Sequence, residues 1–261
     1  MDSRAYILHL TPWRDTSVLM DVLCRERGRL RVAARGIKGR KRSPLAGLLQ
    51  PFVPLHIQLN RRRDYYYLTD ADALARPWSL VADAGLCALY CNELLLRLLP
   101  EHDGHDSLFD AYERSLQALS VAADEPQSAR VLRTFEWTLL SELGYGIALD
   151  TDENGVTLQP EQRYQVHPER GIHLADVQIG SFLGRDLLAF ADHNWAQQPA
   201  EAKRLLRQLL ASHLGSKPLQ TRELWRARQV LKQLADEGVA AAASEPGAAD
   251  AMALGPMSPI K

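Results

Sequence analysis

The sequence predicts an α+β protein in which a small five-stranded barrel of the OB type precedes a mainly helical domain. Apolar residues near the N-terminus form short strand-like runs separated by turns, whereas from Leu80 onward they recur at three- and four-residue spacing. Five short strands in about 70 residues are too few for a sandwich and are typical of a small barrel. We therefore expect the barrel within residues 1–78 and the helical domain within residues 79–238.

Five apolar runs predict the strands of the first domain. Every second residue from Val53 to Leu59 is apolar, which is the pattern of a strand with one buried face. Pro54 restricts this strand to a position where its missing N–H does no harm. The polar turn at residues 60–64 joins it to the next run and predicts a hairpin. The predicted strands are residues 5–10, 18–24, 30–34, 53–59 and 65–69.

Helical spacing dominates the second domain. Asp106 or Ser107 supplies an N-cap for the second helix, and Pro199 suits the first turn of the fifth. The predicted helices are residues 86–98, 108–119, 131–143, 182–191, 199–214 and 219–234. Residues 147–176 lose this spacing, and we expect short strands near 156–158 and 164–166. The Ala-, Gly-, Pro- and Ser-rich tail, residues 239–261, has little to bury and is expected to be disordered.

The composition excludes several classes of protein. Of the 261 residues, 46% are hydrophobic and 24% are charged, which excludes a disordered, collagen-like or coiled-coil chain. No run of about 18 uncharged apolar residues is present to span a membrane, and the N-terminus lacks the apolar core of a signal peptide. Three cysteines (Cys24, Cys87 and Cys91) are too few for a disulfide scaffold. We therefore expect a cytoplasmic protein.

Charge is strongly segregated along the chain, although the formal net charge is only −1. Residues 1–63 contain 14 Lys and Arg against 4 Asp and Glu, a net charge of +10. Residues 64–198 contain 8 against 22, a net of −14, and residues 199–261 contain 9 against 6, a net of +3. A basic N-terminal domain on an acidic carrier indicates a module that binds a polyanion.

Two clusters of cations in the barrel predict that the polyanion is a nucleic acid. OB barrels bind nucleic acid across one face and hold it with basic loops. The alternative is a charge run that only keeps the protein soluble. The cations that we expect to contact nucleic acid are Arg29, Arg31, Arg35, Lys38, Arg40, Lys41, Arg42, Arg61, Arg62 and Arg63.

Exposed aromatic rings are the second requirement for binding single strands, because bases stack on them. Strand periodicity places Tyr65 and Tyr67 on one face and Tyr66 with Leu68 on the other. If Leu68 points into the barrel, Tyr65 and Tyr67 point outward and are available for stacking; the alternative is that they pack across strands. Trp13 is a weaker candidate, because a Trp at a turn also suits a cover over the end of the barrel.

No motif for phosphate-loop, Rossmann, serine-hydrolase or zinc-protease chemistry occurs, and two metal patterns are weak. Residues 150–161 match the spacing of a calcium loop, but Gly144 breaks the preceding helix and Asn154-Gly155 favours a simple acidic turn. Cys87 and Cys91 lie one helical turn apart, with His102 and His105 downstream. Thiols inside an apolar helix usually pack as small hydrophobic groups, so we expect no bound metal and no cofactor.

Several longer motifs occur in a fixed order along the chain. They are VAARGIKGRKRSPL at residues 32–45, LQPF at 49–52, YCNEL at 90–94, FE at 135–136, LGYG at 143–146 and LGSKPLQTREL at 214–224. Together they resemble the RecO family of DNA-repair and recombination mediator proteins, over residues from about 5 to 230. The resemblance implies an N-terminal OB domain, then a helical domain with a small zinc-finger-like insertion at residues 147–176. Many relatives carry four cysteines there, and this chain has none, so a zinc site is not expected.

The resemblance also implies a function and partners. Members of the family are not enzymes; they bind single- and double-stranded DNA, anneal complementary strands and work with RecR to help RecA replace the single-strand-binding protein SSB. They bind the acidic tail of SSB, which needs cations beside an apolar groove. We expect these contacts from Arg130, Arg133 and Phe135, unless Arg133 only pairs with Glu136, and a further basic patch at Lys217 and Arg222 that either extends the DNA path or brackets helix ends. Whether RecF is a partner stays open.

Two other functions fit the residues. The basic loops and exposed aromatic rings suit an OB-fold RNA-binding factor in translation or RNA processing equally well, because composition does not reveal recognition of the 2′-hydroxyl. The carboxylates of the acidic segment also suit a metal-dependent nuclease. Annealing of DNA strands covered by SSB distinguishes a recombination mediator from an RNA-binding factor. Cleavage of labelled DNA in the presence of Mg²⁺ identifies a nuclease.

Overall fold

The computed structural model describes residues 1–37, 44–62 and 65–244, with side chains as far as residue 234. The chain forms two compact units, Met1–Thr221 and Arg222–Lys261. The first contains a β-barrel, five complete helices and a small sheet, and the described part of the second is helical. This arrangement confirms the predicted α+β fold, with a five-stranded barrel followed by a helical region.

The barrel is closed by five strands in the order β1-β2-β3-β5-β4. β1 pairs antiparallel with both β2 and β4, and the single parallel pair joins β3 to β5 at Val32–Tyr66 and Ala33–Tyr67. The strands lie where the apolar runs predicted them, and most extend further at one or both ends. Pro54 precedes β4 rather than lying within it, so its missing N–H costs no ladder bond. The strand bounds are β1 Asp2–Trp13, β2 Ser17–Cys24, β3 Gly28–Ala34, β4 Leu55–Arg62 and β5 Tyr65–Ala73.

β1 is buried on both faces, which explains its long apolar run. Ala5 and Ile7 point into the barrel core, whereas Tyr6 and Leu8 point out of the barrel and are buried beneath the helices. The Tyr6 ring lies 5.3 Å from the ring of Tyr112, measured between centroids. Burial raises the pKa of the Tyr6 hydroxyl well above its ordinary value. The barrel and the helices therefore share one continuous packing surface.

The six predicted helices are present. Asp124 caps α3 by accepting a hydrogen bond from the Gln127 N–H at 2.8 Å, and Pro199 occupies the first turn of α5 as expected. The last helix continues to Ser244, so residues 239–244 are helical where the sequence predicted the start of a disordered tail; residues 245–261 lie outside the described residues. The helix bounds are α1 Asp83–Leu98, α2 Asp106–Val121, α3 Glu125–Glu142, α4 Gly184–Ala191, α5 Pro199–Leu214 and α6 Gln220–Ser244.

The cysteine-free insertion, residues 147–176, supplies two strands of a small antiparallel sheet, and the third strand follows it in the chain. β6 (Arg163–His167) lies between β7 (Gly171–Leu174) and β8 (Phe182–Leu183). Its apolar contacts come from Tyr164, Val166, Ile172 and Phe182, all of which are buried. The insertion therefore has an apolar core that packs without cysteine ligands. Within residues 1–37, 44–62 and 65–244, no helix is long and apolar enough to cross a bilayer.

The loop after α1 is fixed against the turn between β2 and β3. Gly28 has a φ of +63°, and a Cβ atom there would lie 1.6 Å from the carbonyl oxygen of Asp103. The His102 N–H donates to the Arg29 carbonyl at 2.9 Å. Only glycine fits such a backbone-to-backbone approach, so this turn is an anchor between the barrel and the helical region.

Candidate nucleic-acid interface

Three chain segments meet at one end of the barrel. The turn after β1 begins at Trp13, β3 ends at Ala34, and the hairpin of β4 and β5 brings Arg62 opposite Tyr65. Exposed or half-exposed cationic and aromatic side chains extend from all three segments. We call this set the barrel-end surface; it consists of Trp13, Arg14, Arg35, Arg61, Arg62, Tyr65 and Tyr67.

The three consecutive tyrosines of β5 divide as the strand period predicts. Tyr66 is 6% exposed and packs in the barrel core together with Leu68, whereas Tyr65 is 46% exposed. Tyr67 is half-buried on the same outer side. The outward orientation of Tyr65 and Tyr67 is therefore confirmed.

Arginine side chains lie over these aromatic rings. The Arg35 guanidinium carbon is 4.7 Å from the centroid of Tyr67, and that of Arg61 is 5.8 Å from the centroid of Tyr66. Such contacts hold a cation beside a flat apolar ring. The pair of Arg35 and the half-buried Tyr67 combines a cation for phosphate with a ring for stacking, which is what single-stranded nucleic acid requires, whereas the ring beside Arg61 belongs to the barrel core.

Five of the predicted DNA contacts lie outside the described residues. They are Lys38, Arg40, Lys41, Arg42 and Arg63. In sequence, the first four follow Arg35 closely and the last follows Arg62, and both of those arginines belong to the barrel-end surface. Their role in binding stays a prediction.

Arg29 is an interdomain residue, contrary to the prediction that it faces DNA. Its side chain is 13% exposed and donates to the Leu99 carbonyl at 2.9 Å, to Asp21 at 3.2 Å and to Glu101 at 3.2 Å. The two carboxylates neutralise the guanidinium, and the three bonds occupy its Nε and Nη1 donors. A phosphate would have to displace partners that are already in place, so Arg29 fixes the barrel to the loop after α1.

Other cations on this side of the barrel are paired in the same way. Arg25 binds both oxygens of Asp110, and Arg4 binds Glu113 at 2.8 Å. The Arg31 side chain, in contrast, is 46% exposed, and its ion pair with Asp21 is long, at 3.5 Å. The acidic helical region therefore neutralises part of the basic domain, and Arg31 keeps an accessible guanidinium.

Of the three residues predicted for an acidic peptide tail, one is buried and another is largely covered and paired with a carboxylate. Phe135 is 1% exposed and packs against Tyr112. The Arg133 side chain is 11% exposed and donates to Glu136 at 2.9 Å, and the same carboxylate oxygen accepts from the Tyr90 hydroxyl at 2.6 Å. Arg133 and Phe135 are thus structural, which corrects the prediction, and only Arg130 is exposed.

The predicted C-terminal patch is divided between the two compact units. Lys217 is exposed in the first unit, and its carbonyl accepts from Arg97 at 2.8 Å. Arg97 also donates to the carbonyls of Leu214 and Pro218, so it caps the end of α5. Arg222 belongs to the second unit.

The two sequence patterns that suggested metals have other structural roles. Asp152 Oδ1 accepts from the N–H groups of Asn154 and Val156, both at 2.9 Å, and forms the acidic turn that was the simpler interpretation. Cys87 and Cys91 are buried, and burial raises the pKa of the Cys87 thiol to about 11. In the described part of the chain, no three His, Cys, Asp or Glu side chains are grouped to hold a metal ion.

Arg14 is a residue that sequence reasoning missed. Its guanidinium carbon lies 4.5 Å from the centroid of Trp13, and its φ of 55° is unusual for a residue with a side chain. Sequence alone shows only an isolated Arg in a turn, next to Asp15. The contact between Trp13 and Tyr65, which brings this turn to the barrel-end surface, joins residues far apart in the chain.

Comparisons with known proteins agree with this architecture. A family model described as recombination protein O N terminal matches residues 1–76, and one described as recombination protein O C terminal matches residues 82–223. Similar curated proteins named DNA repair protein RecO include those of three bacteria. The relative from Pseudomonas paraeruginosa is 40% identical over 227 residues, covering 86% of this chain and 94% of the relative. Those from Stutzerimonas stutzeri and Pseudomonas entomophila are 39% and 40% identical, covering 86% of this chain and 93% and 96% of the relatives.

Proposed function

The chain belongs to the RecO family of DNA-repair proteins, and from that premise we propose that it is a non-enzymatic mediator of recombinational repair. In this proposal it binds single- and double-stranded DNA, anneals complementary strands and helps RecA to load onto DNA covered by SSB. The cell compartment of this activity is the cytoplasm. The alternative of an RNA-binding factor is not retained, because the family models and the relatives are those of DNA repair and recombination.

The barrel-end surface is the observation that carries the proposal. It combines outward aromatic rings with cations that, among the described residues, form no ion pairs of the kind that Arg25 and Arg29 form. The segment with Lys38, Arg40, Lys41 and Arg42 adds four cations close in sequence to Arg35. Cations bind phosphates of either DNA form, and exposed rings add affinity for unpaired bases.

Annealing follows from charge neutralisation. Two complementary strands repel each other through their phosphates, and a cationic surface that binds both lowers this repulsion. Bases that are held by stacking rather than by hydrogen bonds keep their pairing edges free. No nucleotide hydrolysis is required, in agreement with the lack of a phosphate-loop motif in the sequence.

Protein partners are assigned on the same premise. We propose that RecR binds this protein and that the acidic tail of SSB does so too, with RecF left open. Of the three residues predicted to contact the tail, only the exposed Arg130 is retained, because Phe135 is buried and the largely covered Arg133 pairs with Glu136. An exposed cation on α3 suits a carboxylate-rich peptide.

An annealing assay tests the proposal directly. Complementary DNA oligonucleotides are covered with SSB, and formation of the duplex is followed by fluorescence with and without the protein. We expect faster annealing without ATP, with the labelled strands intact after incubation with Mg²⁺. Cleaved strands would identify a nuclease instead, and annealing no faster than the spontaneous rate would contradict the proposal.

A further inference from the structure

The turn between β1 and β2 presents a tryptophan whose ring is not used in the barrel core. Trp13 is half-buried, and it does not belong to the group of apolar side chains that pack inside the barrel. The ring contacts described for it are with Tyr65 and Arg14, both exposed residues. A tryptophan that only covered the end of the barrel would be expected to contact the core.

Trp13 and Tyr65 form a stacked pair across the barrel end. Their ring centroids are 6.5 Å apart and the planes are inclined by 28°, close to an offset stack. Tyr65 keeps 46% of its surface exposed. The pair therefore brings two aromatic rings together at the barrel end, beside the cations Arg61 and Arg62 of the adjacent hairpin.

The turn between β1 and β2 is electrically neutral, so its role differs from that of the cations that bind phosphate. Arg14 and Asp15 are both exposed, so the turn has no net charge and makes little sequence-independent contribution to phosphate binding. Arg14 adopts a left-handed φ of 55° and places its guanidinium over the Trp13 ring. This contact positions the ring and places a cation against one of its faces.

We propose that Trp13 and Tyr65, with Arg14 as a positioning residue, form a stacking platform for unpaired nucleobases. The inference rests on the proposed DNA binding and deepens it: this platform distinguishes single strands from duplexes, whereas the cations bind the phosphates of both. In a duplex the bases are stacked on each other, and their faces are not available to the platform.

Three DNA probes of equal length separate stacking from charge. They are a single strand of mixed sequence, an abasic single strand with the same number of phosphates, and a duplex, each labelled with fluorescein. For Trp13→Ala we expect a loss of affinity of about fivefold or more for the normal strand, the lower end of one base–aromatic stack. Affinity for the abasic strand and the duplex should change less than twofold, and Trp13→Phe should recover most of the loss.

Tyr145→Ala is the matched control. Tyr145 is also an exposed ring in a stacked pair, 3.8 Å from His213 between centroids, but it lies in the helical region. The Tyr145→Ala variant should bind all three probes as the unchanged protein does. Equal melting temperatures show that each variant is folded.

Two results would overturn the inference. One is an equal loss of affinity on all three probes, and the other is no loss for the normal strand with Trp13→Ala. If the unchanged protein binds neither single strand nor duplex, the proposed DNA binding itself fails, which is a different outcome. In the supporting case, quenching of tryptophan fluorescence by the normal strand should also be smaller in Trp13→Phe than in the unchanged protein.

Discussion

Arg25, in the turn after β2, and Asp110, on α2, are joined by two parallel hydrogen bonds, Nη1–Oδ1 at 2.6 Å and Nη2–Oδ2 at 2.8 Å. This bidentate pair is the strongest geometry that an arginine and a carboxylate adopt. The cations of the basic domain fall into two groups according to their contacts. Arg4, Arg25 and Arg29 hold the barrel against the acidic helical region, whereas Arg14, Arg35 and Arg61 of the barrel-end surface lie against aromatic rings.

Arg29→Ala should reduce stability rather than DNA affinity. The change removes the partner of Asp21, which is largely buried, and the donor to the Leu99 carbonyl, so the free energy of unfolding should fall by about 2–3 kcal/mol. Arg31→Ala is the control, because its exposed pair with Asp21 contributes less than about 1 kcal/mol. Urea unfolding measures both. A clear loss of DNA affinity in folded Arg29→Ala, with unfolding unchanged, would assign Arg29 to the DNA surface after all.

Replacing Lys38, Arg40, Lys41 and Arg42 together with Gln should weaken DNA binding to a similar degree for all sequences. Each lost phosphate contact should reduce the slope of log affinity against log salt by about one unit at most. Titrations at four salt concentrations provide the slope. An unchanged slope in the folded variant would place the DNA path elsewhere on the protein.

Arg133→Ala should destabilise the helical region. Glu136 is 1% exposed, and removing the guanidinium 2.9 Å from its carboxylate leaves a buried charge with weaker compensation, at a cost of about 3 kcal/mol. Arg130→Ala, three residues earlier on the exposed face, should change the free energy of unfolding by less than about 0.5 kcal/mol. Binding of an SSB tail peptide should weaken in Arg130→Ala but not in folded Arg133→Ala. Arg133→Ala with normal stability and reduced peptide affinity would restore the original interpretation.

Alkaline pH should destabilise the protein through its buried thiols. Burial raises the pKa of Cys87 to about 11 and that of Cys24 to about 12, whereas a thiol in the unfolded chain has a pKa of about 8.5. Above that pH the unfolded state binds fewer protons than the native state, so stability is complete below it and falls as pH rises. In this range each thiol lowers the free energy of unfolding by up to about 1.4 kcal/mol per pH unit.

Urea unfolding at pH 7.5, 8.5 and 10 measures this slope, and Cys87→Ala should make it shallower. An identical slope in Cys87→Ala would show that this thiol does not titrate on unfolding. Elemental analysis of the purified protein should also show less than stoichiometric zinc. One equivalent of zinc, lost on changing Cys91 to Ser, would contradict the assignment of these cysteines to the apolar interior.

Local patterns in the sequence were enough for much of the fold. Strand alternation predicted that Tyr65 and Tyr67 face outward, because the side-chain direction in a strand depends only on neighbouring residues. Helical spacing located all six helices, but α3 begins at Glu125 rather than near residue 131, and the cap predicted for α2, Asp106 or Ser107, lies inside a helix whose N-cap is His105. At the end of α6, the Ala-rich composition suggested a tail from residue 239, although alanine also favours a helix, and the helix continues to Ser244.

The sequence by itself determined the strand and helix order, the charge segregation and the family motifs, because each is a local or linear property. Only the tertiary structure decided which cations are available. Arg29 and Arg35 lie six residues apart in the same basic segment, but Arg29 meets Glu101, 72 residues away in the chain, whereas Arg35 lies over Tyr67. The partner of a charged side chain depends on which distant segments the fold brings within a few ångströms. Burial then determines whether that partner fixes the fold or leaves the cation free for a ligand.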